Sequence, residues 1–189
     1  MPARPAIALR CTLGLGLLLL AAACGSSTGL PAAGIPNAVD TVSLYALNDG
    51  VVTDPSGFVL QGVQRVRTDQ SPAVDFAFTF DSLHRPVLLP TQLLGLGALS
   101  SLQRAQTAFD AITTAPTGGW QPDSAVVADP GAVVLAASRP FTCFTGLTVS
   151  LYAKLRVLTV DTTAKRIDFE ILVDQNCGYR GLQPGLPTQ

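Results

Sequence analysis

Histidine, glutamate, lysine and tryptophan are nearly missing from this 189-residue chain. His84, Glu170 and Trp120 each stand alone, and Lys154 and Lys165 are the only lysines. Each scarcity excludes something. One histidine would have to serve every histidine-dependent mechanism by itself. No G-x-S-x-G nucleophile elbow, H-E-x-x-H metal helix, P-loop or dinucleotide fingerprint is present. Few surface helices are built without Glu and Lys, so the composition leans toward β structure. Charged residues make up 13% of the chain, and the formal charge is −1. That balance gives no electrostatic footprint for nucleic acid. No catalytic residue, metal-ligand set or cofactor is assigned.

What the chain does have begins at its N-terminus. Residues 1–10 carry Arg4 and Arg10 and no acid, and residues 11–23 are uncharged and dominated by leucine. The apolar run is shorter than the roughly 20 residues that span a bilayer. It has the basic start, apolar middle and small-residue end of a cleavable signal. Without residues 1–23, Arg4 and Arg10 are lost from the 12 basic residues, leaving 10 against 13 acidic ones.

Ala21-Ala22-Ala23-Cys24-Gly25-Ser26-Ser27 resembles the lipobox of bacterial lipoproteins, although Ala21 stands where Leu is usual. The resemblance implies cleavage before Cys24, a diacylglycerol thioether on Cys24, and a stable hold on the membrane through two or more acyl chains. In that family Asp after the cysteine retains the protein in the inner membrane, so Gly25 implies an outer-membrane address in the cell envelope. The rival reading is an ordinary secretory signal that leaves Cys24 a free thiol.

Cys11 leaves with the signal and Cys24 takes the lipid, so the folded part holds Cys143 and Cys177. In an oxidising compartment two cysteines read as one disulfide, worth about 3 to 4 kcal/mol in the chain-entropy model. A zinc site is the weaker reading, because two thiols and one distant histidine do not complete a tetrahedral shell.

Residues 24–39 read as a lipidated, flexible tether, 40–181 as a single β-rich domain and 182–189 as an irregular tail. Thr41–Leu47 is strand-like, and Asn48-Asp49-Gly50 is a hairpin signal. Asp54-Pro55-Ser56-Gly57 reads as a turn. A strand over 58–68 is interrupted at Gly62. Residues 74–81 alternate, with Val74, Phe76, Phe78 and Phe80 on one face, as in a half-buried strand. Residues 93–110 are the one candidate helical region, weakened by Gly95 and Gly97, and at most a short helix is expected there.

The clearest hairpin joins 149–160 to 167–174, with apolar residues at odd positions on both arms. Register sums of 326 and 328 both put those residues on one face. The first pairs Arg156 with Glu170, and the second pairs Lys154 with Asp174. The fold class is therefore all-β and mainly antiparallel, a sandwich or partly open barrel.

Gly131-Ala-Val-Val-Leu-Ala-Ala-Ser-Arg139, Leu151-Tyr-Ala-Lys-Leu-Arg-Val-Leu and Ile167-Asp-Phe-Glu resemble the closing strands of haemophore-type (HmuY-like) surface lipoproteins. Asp75-Phe-Ala-Phe and Phe109-Asp-Ala-Ile-Thr-Thr-Ala-Pro, with Gly-Gly-Trp-Gln-Pro-Asp after them, fall in a similar order. The resemblance implies an all-β, lipid-anchored domain. The family's haem capture uses two histidines, and this chain has only His84, so the fold carries over without the ligand.

His84 and Trp120 are the candidate ligand contacts. Their plainer readings are a loop histidine and a tryptophan that anchors a loop on the core. The face bearing Tyr152, Lys154 and Arg156 is a candidate binding surface, or else a solvated sheet face. Asp168, Glu170 and Asp174 read as solvated acids. The expected role is non-enzymatic binding of a small ligand or envelope partner at the membrane. A structural or assembly lipoprotein is the alternative, and an enzyme of unrecognised type the remote one.

Overall fold

The computed structural model describes residues 30–188. Cys11, the signal segment 1–23 and Cys24 lie outside the described residues. The chain forms β1 (Val39–Tyr45), β2 (Gly57–Val59), β3 (Gln64–Val66), β4 (Phe76–Phe80), β5 (Pro86–Pro90) and β6 (Ser101–Ala105). It continues with β7 (Val126–Val127), β8 (Val133–Ala137), β9 (Phe141–Thr142), β10 (Thr148–Val149), β11 (Tyr152–Asp161) and β12 (Arg166–Asp174). One sheet runs β1-β12-β11-β8-β6 and the other β3-β2-β4-β5-β7, with β9 and β10 as a small separate ribbon. Every paired strand is antiparallel. The fold is an all-β sandwich and no closed barrel forms.

The alternating residues explain the core. Phe76 and Phe78 of β4 face Leu155, Ile167, Phe169 and Ile171 of the other sheet, and all are buried in one cluster. Phe58 stacks on Phe76 with ring centroids 5.3 Å apart, and Phe169 meets Phe58 edge-on at 6.1 Å. Such pairs add about 0.5 to 1.5 kcal/mol each beyond the area they bury.

The hairpin takes the 326 register from Tyr152↔Asp174 to Val157↔Phe169. A bulge at Leu158 then shifts it, so Asp161 pairs with Arg166 and the loop is one residue shorter than the unbroken register requires. Bulges absorb one extra residue on one strand in this way.

Several expectations are corrected. Asn48-Asp49-Gly50 turns the chain, with the Gly50 N–H donating to Ala46 O, but β1 pairs with β12 and not with the next strand. That pairing buries Val42 and Leu44 against the hairpin core. The turn near Pro55 falls at Val51–Asp54, closed by the Asp54 N–H on Val51 O. The interruption at Gly62 is a full reversal between β2 and β3. The expectation of at most a short helix over 93–110 is met: a 3-10 turn, Thr91–Leu94, leads to β6, and a second 3-10 turn, Phe109–Ala111, follows. Gly95 and Gly97 sit at φ 75° and 85°, a region closed to a helical run. The expected half-buried strand β4 is buried on both faces, and the Thr91–Leu94 turn lies against β4 and β5.

The arm is docked, contrary to the tether reading, and the irregular tail is docked as well. Asn176 Oδ1 accepts from the Gly34 and Ile35 N–H groups, and Asn37 and Gly185 bridge through their backbones. Leu182 is wholly buried. Proline and glycine composition predicts irregular backbone, and it leaves open whether side chains elsewhere hold that backbone.

Register also gives the sandwich two distinguishable ends. The 81–85, 129–131 and 162–165 turns share one, since Ala128 N–H donates to Pro86 O and Gly131 N–H to Val157 O. The arm, the β2–β3 turn, the 91–100 loop and the Cys143–Cys177 pair occupy the other.

Candidate functional site

An open groove of about 460 Å³ lies on the outer side of the β3-β2-β4-β5-β7 sheet. Pockets that hold small molecules run from about 300 to 1,000 Å³. Leu89 and Val74 contribute to its floor, Leu93, Leu94 and Leu96 to one wall, and Leu47 to the other, while Asn48, Thr68 and Asp69 supply the polar atoms. Leu89 comes from β5, where Leu88 points into the core and strand alternation turns its neighbour outward.

The leucine wall is held by a compact hydroxyl clasp. Thr91 Oγ1 donates to Gly97 O at 2.8 Å and accepts from the Leu99 and Ser100 N–H groups, while Ser100 Oγ accepts from Thr91 N–H at 3.0 Å. Ser100 Oγ also donates to Asp75 O. The loop is therefore fixed at its base while Leu93 and Leu96 remain 44% and 36% exposed.

Gly57 shapes the opposite side. A Cβ there would meet Val74 Cγ2 at 2.6 Å and Thr68 Cγ2 at 2.9 Å, so glycine lets these two lining residues settle onto β2. Arg67 pairs with Asp69 at 2.6 Å and holds its carboxyl below the usual carboxylate range. The groove's one acid is thus already neutralised by a partner.

His84 and Trp120 are not brought together. His84 is exposed in the 81–85 turn at φ 60°, a turn closed by Asp81 Oδ1 accepting from the Leu83 and Arg85 N–H groups. Trp120 packs on the outer face of the other sheet, 5.7 Å from the Tyr152 ring, and its Nε1 donates to Pro116 O.

The candidate surface of Tyr152, Lys154 and Arg156 is covered by the 106–121 crossing. Lys154 is only 2% exposed. Its Nζ donates to Phe109 O at 2.8 Å and Ile112 O at 2.9 Å and lies 4.4 Å from the Phe109 ring centre. Burial lowers the lysine's pKa, while the Asp110 and Glu170 carboxylates raise it. Arg180 completes the cover, donating to Ala115 O and Pro116 O over the Tyr152 ring. The acids are likewise engaged: Asp168 accepts from Ser43 and Thr159, Glu170 pairs with Arg156 at 2.5 Å, and Asp174 is wholly buried.

Residue order alone does not disclose Lys154 as a staple, because its partners are backbone carbonyls more than forty residues away. Nor does it disclose the groove, whose residues come from four separate segments. Cys143 and Cys177 stand as a disulfide with Cα atoms 6.2 Å apart. Beside them a second cleft of about 380 Å³ is lined by the arm at Pro31–Ile35, by Phe141 and by Phe144. Among the described residues no three His, Cys, Asp or Glu side chains gather to hold a metal ion. No family model, curated protein or solved structure matches the chain.

Proposed function

We propose that this chain is a non-enzymatic lipoprotein of the cell envelope, held to the outer membrane by lipid on Cys24, whose sandwich carries a small apolar ligand in the leucine groove. The groove supports the ligand reading: leucines from separate segments line a concave surface, and a fully bonded clasp holds one wall in place. Burying such surface is worth about 25 cal/mol per Å², and an alkyl or isoprenoid-like ligand would supply it. The neutralised Asp69 favours an uncharged ligand body over a cation. The lipobox resemblance supports the anchor.

Native purification of the full chain from its membranes, with mass spectrometry of what accompanies it, tests the ligand. A stoichiometric apolar molecule is expected, and Leu93→Gln with Leu96→Gln should remove it while the variant melts as the parent does once stripped of that molecule. Equal retention by that double variant, or no such molecule on the parent, would sink the groove as a site. Metabolic labelling with a fatty acid tests the anchor separately, since Cys24→Ser should abolish the label. Equal labelling of both forms ends that reading.

A further inference from the structure

The end of the sandwich that bears the N-terminal arm is almost free of charge. No Asp, Glu, Lys or Arg occurs in residues 30–39, 55–64, 86–103, 140–153 or 175–179. These segments form the arm, the β2–β3 turn, the 91–100 loop, the β9–β10 ribbon and the exit from β12. Of the charges that border it, Arg139 at the root of the ribbon is paired with the buried Asp75 and Arg67 with Asp69. Arg180 is turned onto Ala115 O and Pro116 O, Asp174 is wholly buried, and Arg65 on β3 is exposed. Large apolar side chains stand out into solvent here: Phe144 is 87% exposed, Ile35 51% and Leu147 40%.

Phe144 is presented and not loosely hung. Its turn is closed by the Gly146 N–H on Cys143 O and the Cys143 N–H on Leu147 O. Cys143 is joined to Cys177, at the exit of β12.

The course of the arm says what this end faces. Leu30 lies against Gly178, where an added Cβ would meet its Cδ2 at 2.9 Å, and Tyr179 Oη donates to Pro31 O. The chain therefore leaves the domain at the uncharged end. Six residue steps separate Leu30 from Cys24, a reach of about 20 Å at full extension.

We infer that this end is a membrane-contact surface, with the Phe144 tip entering the interface of the bilayer that holds the chain. The inference rests on the lipid-anchor reading. Aromatic side chains settle at bilayer interfaces, and a surface poor in charge gives up less hydration on approaching one than a charged surface does. The domain would then stand in one orientation, with its charged turns pointing away from the lipid.

The test uses the full chain purified from its membranes and reconstituted into phosphatidylethanolamine–phosphatidylglycerol vesicles with brominated acyl chains. Trp120 is kept, so the parent protein sets the baseline. Phe144→Trp should add emission that is blue-shifted and quenched several-fold by bromine. Leu83→Trp, in a turn at the opposite end, should add emission that bromine leaves unchanged. Equal quenching at both positions, or none at 144, overturns the inference. A pair of molecules burying Phe144 against each other would give a blue shift without quenching, and this also overturns it. Acyl mass on Cys24 is read from the same sample. Its absence would end the anchor reading, while quenching at 144 separately decides membrane contact.

Discussion

At one end of the sandwich water-accessible carboxylates close the 81–85 and 162–165 turns, whereas at the other the loops are held by amides, hydroxyls, a disulfide and the buried carboxylates of Asp75 and Asp174. At the first, Asp81 Oδ1 accepts from two N–H groups of its own turn, and Asp161 Oδ1 does the same for Thr163 and Ala164. At the second, Asn176 binds the arm at Gly34 and Ile35, and Gln175 binds both Gly62 N–H and Leu60 O. The Thr91–Ser100 clasp serves the leucine loop there. Backbone groups need partners wherever they are withdrawn from water. A carboxylate is a cheap partner where water still reaches it and a costly one where water does not. The two ends are built for different surroundings.

The largest test of this contrast removes the covalent link. Cys143→Ser with Cys177→Ser should cost about 3 to 4 kcal/mol in chemical denaturation, given a loop of this length. Hydrogen exchange should then quicken in residues 30–37 and 141–149 while the 162–165 turn keeps its protection. Uniform loss of protection would mean that the two ends do not behave as separate units. A smaller effect is expected from Asn176→Ala, which strips the acceptor from two arm N–H groups, at about 1 to 3 kcal/mol. Asp161→Ala, at an exposed turn, should cost less than Asn176→Ala, because water takes over a solvent-facing acceptor. Thermal melts of the two variants side by side decide the order, and the reverse order would break the contrast.

Period-2 patterning made much of the sandwich legible. The odd positions of β11 as far as Val157 and those of β12 enter the core, and up to the bulge at Leu158 the register formed is one of the two their alternation allowed, the one setting Arg156 opposite Glu170. The Cys143–Cys177 pair followed from compartment and count. Features set by distant partners stayed hidden. Lys154 reads as a surface lysine until Phe109 and Ile112 close over it. Residues 31–38 read as tether until Asn176, far along the chain, bonds them. Glycine and hydrophobic periodicity report local geometry, whereas side-chain to backbone bonds across long separations leave no periodic trace. The leucine groove belongs to this second kind, and neither His84 nor Trp120 pointed to it.

Asp174 offers the smallest and most discriminating test, because it is a charge set deep in the neutral end. Its Oδ1 accepts from the Asn176 N–H and Nδ2 at 2.9 Å each, whereas its Oδ2 is buried without a donor. The Asn37 carboxamide stands beside it, and Asn37 Oδ1 is unpartnered too. Burial is the leading influence and raises the carboxyl above its usual range, against the pull of Asn176, Asn37 and the Gly181 N–H. The folded state therefore holds this proton more tightly than the unfolded chain does. Stability then falls as pH rises from the ordinary carboxylate range through the raised value. Asp174→Asn removes that slope together with the buried charge. It should leave stability at neutral pH equal or higher by up to about 1 kcal/mol, in melts taken from acid to neutral pH. Asp75, raised by burial as well, keeps a slope of the same sign in the variant. A loss greater than that gain, or a pH slope identical to the parent's, would show that the neutral end needs the ionised carboxylate at its centre.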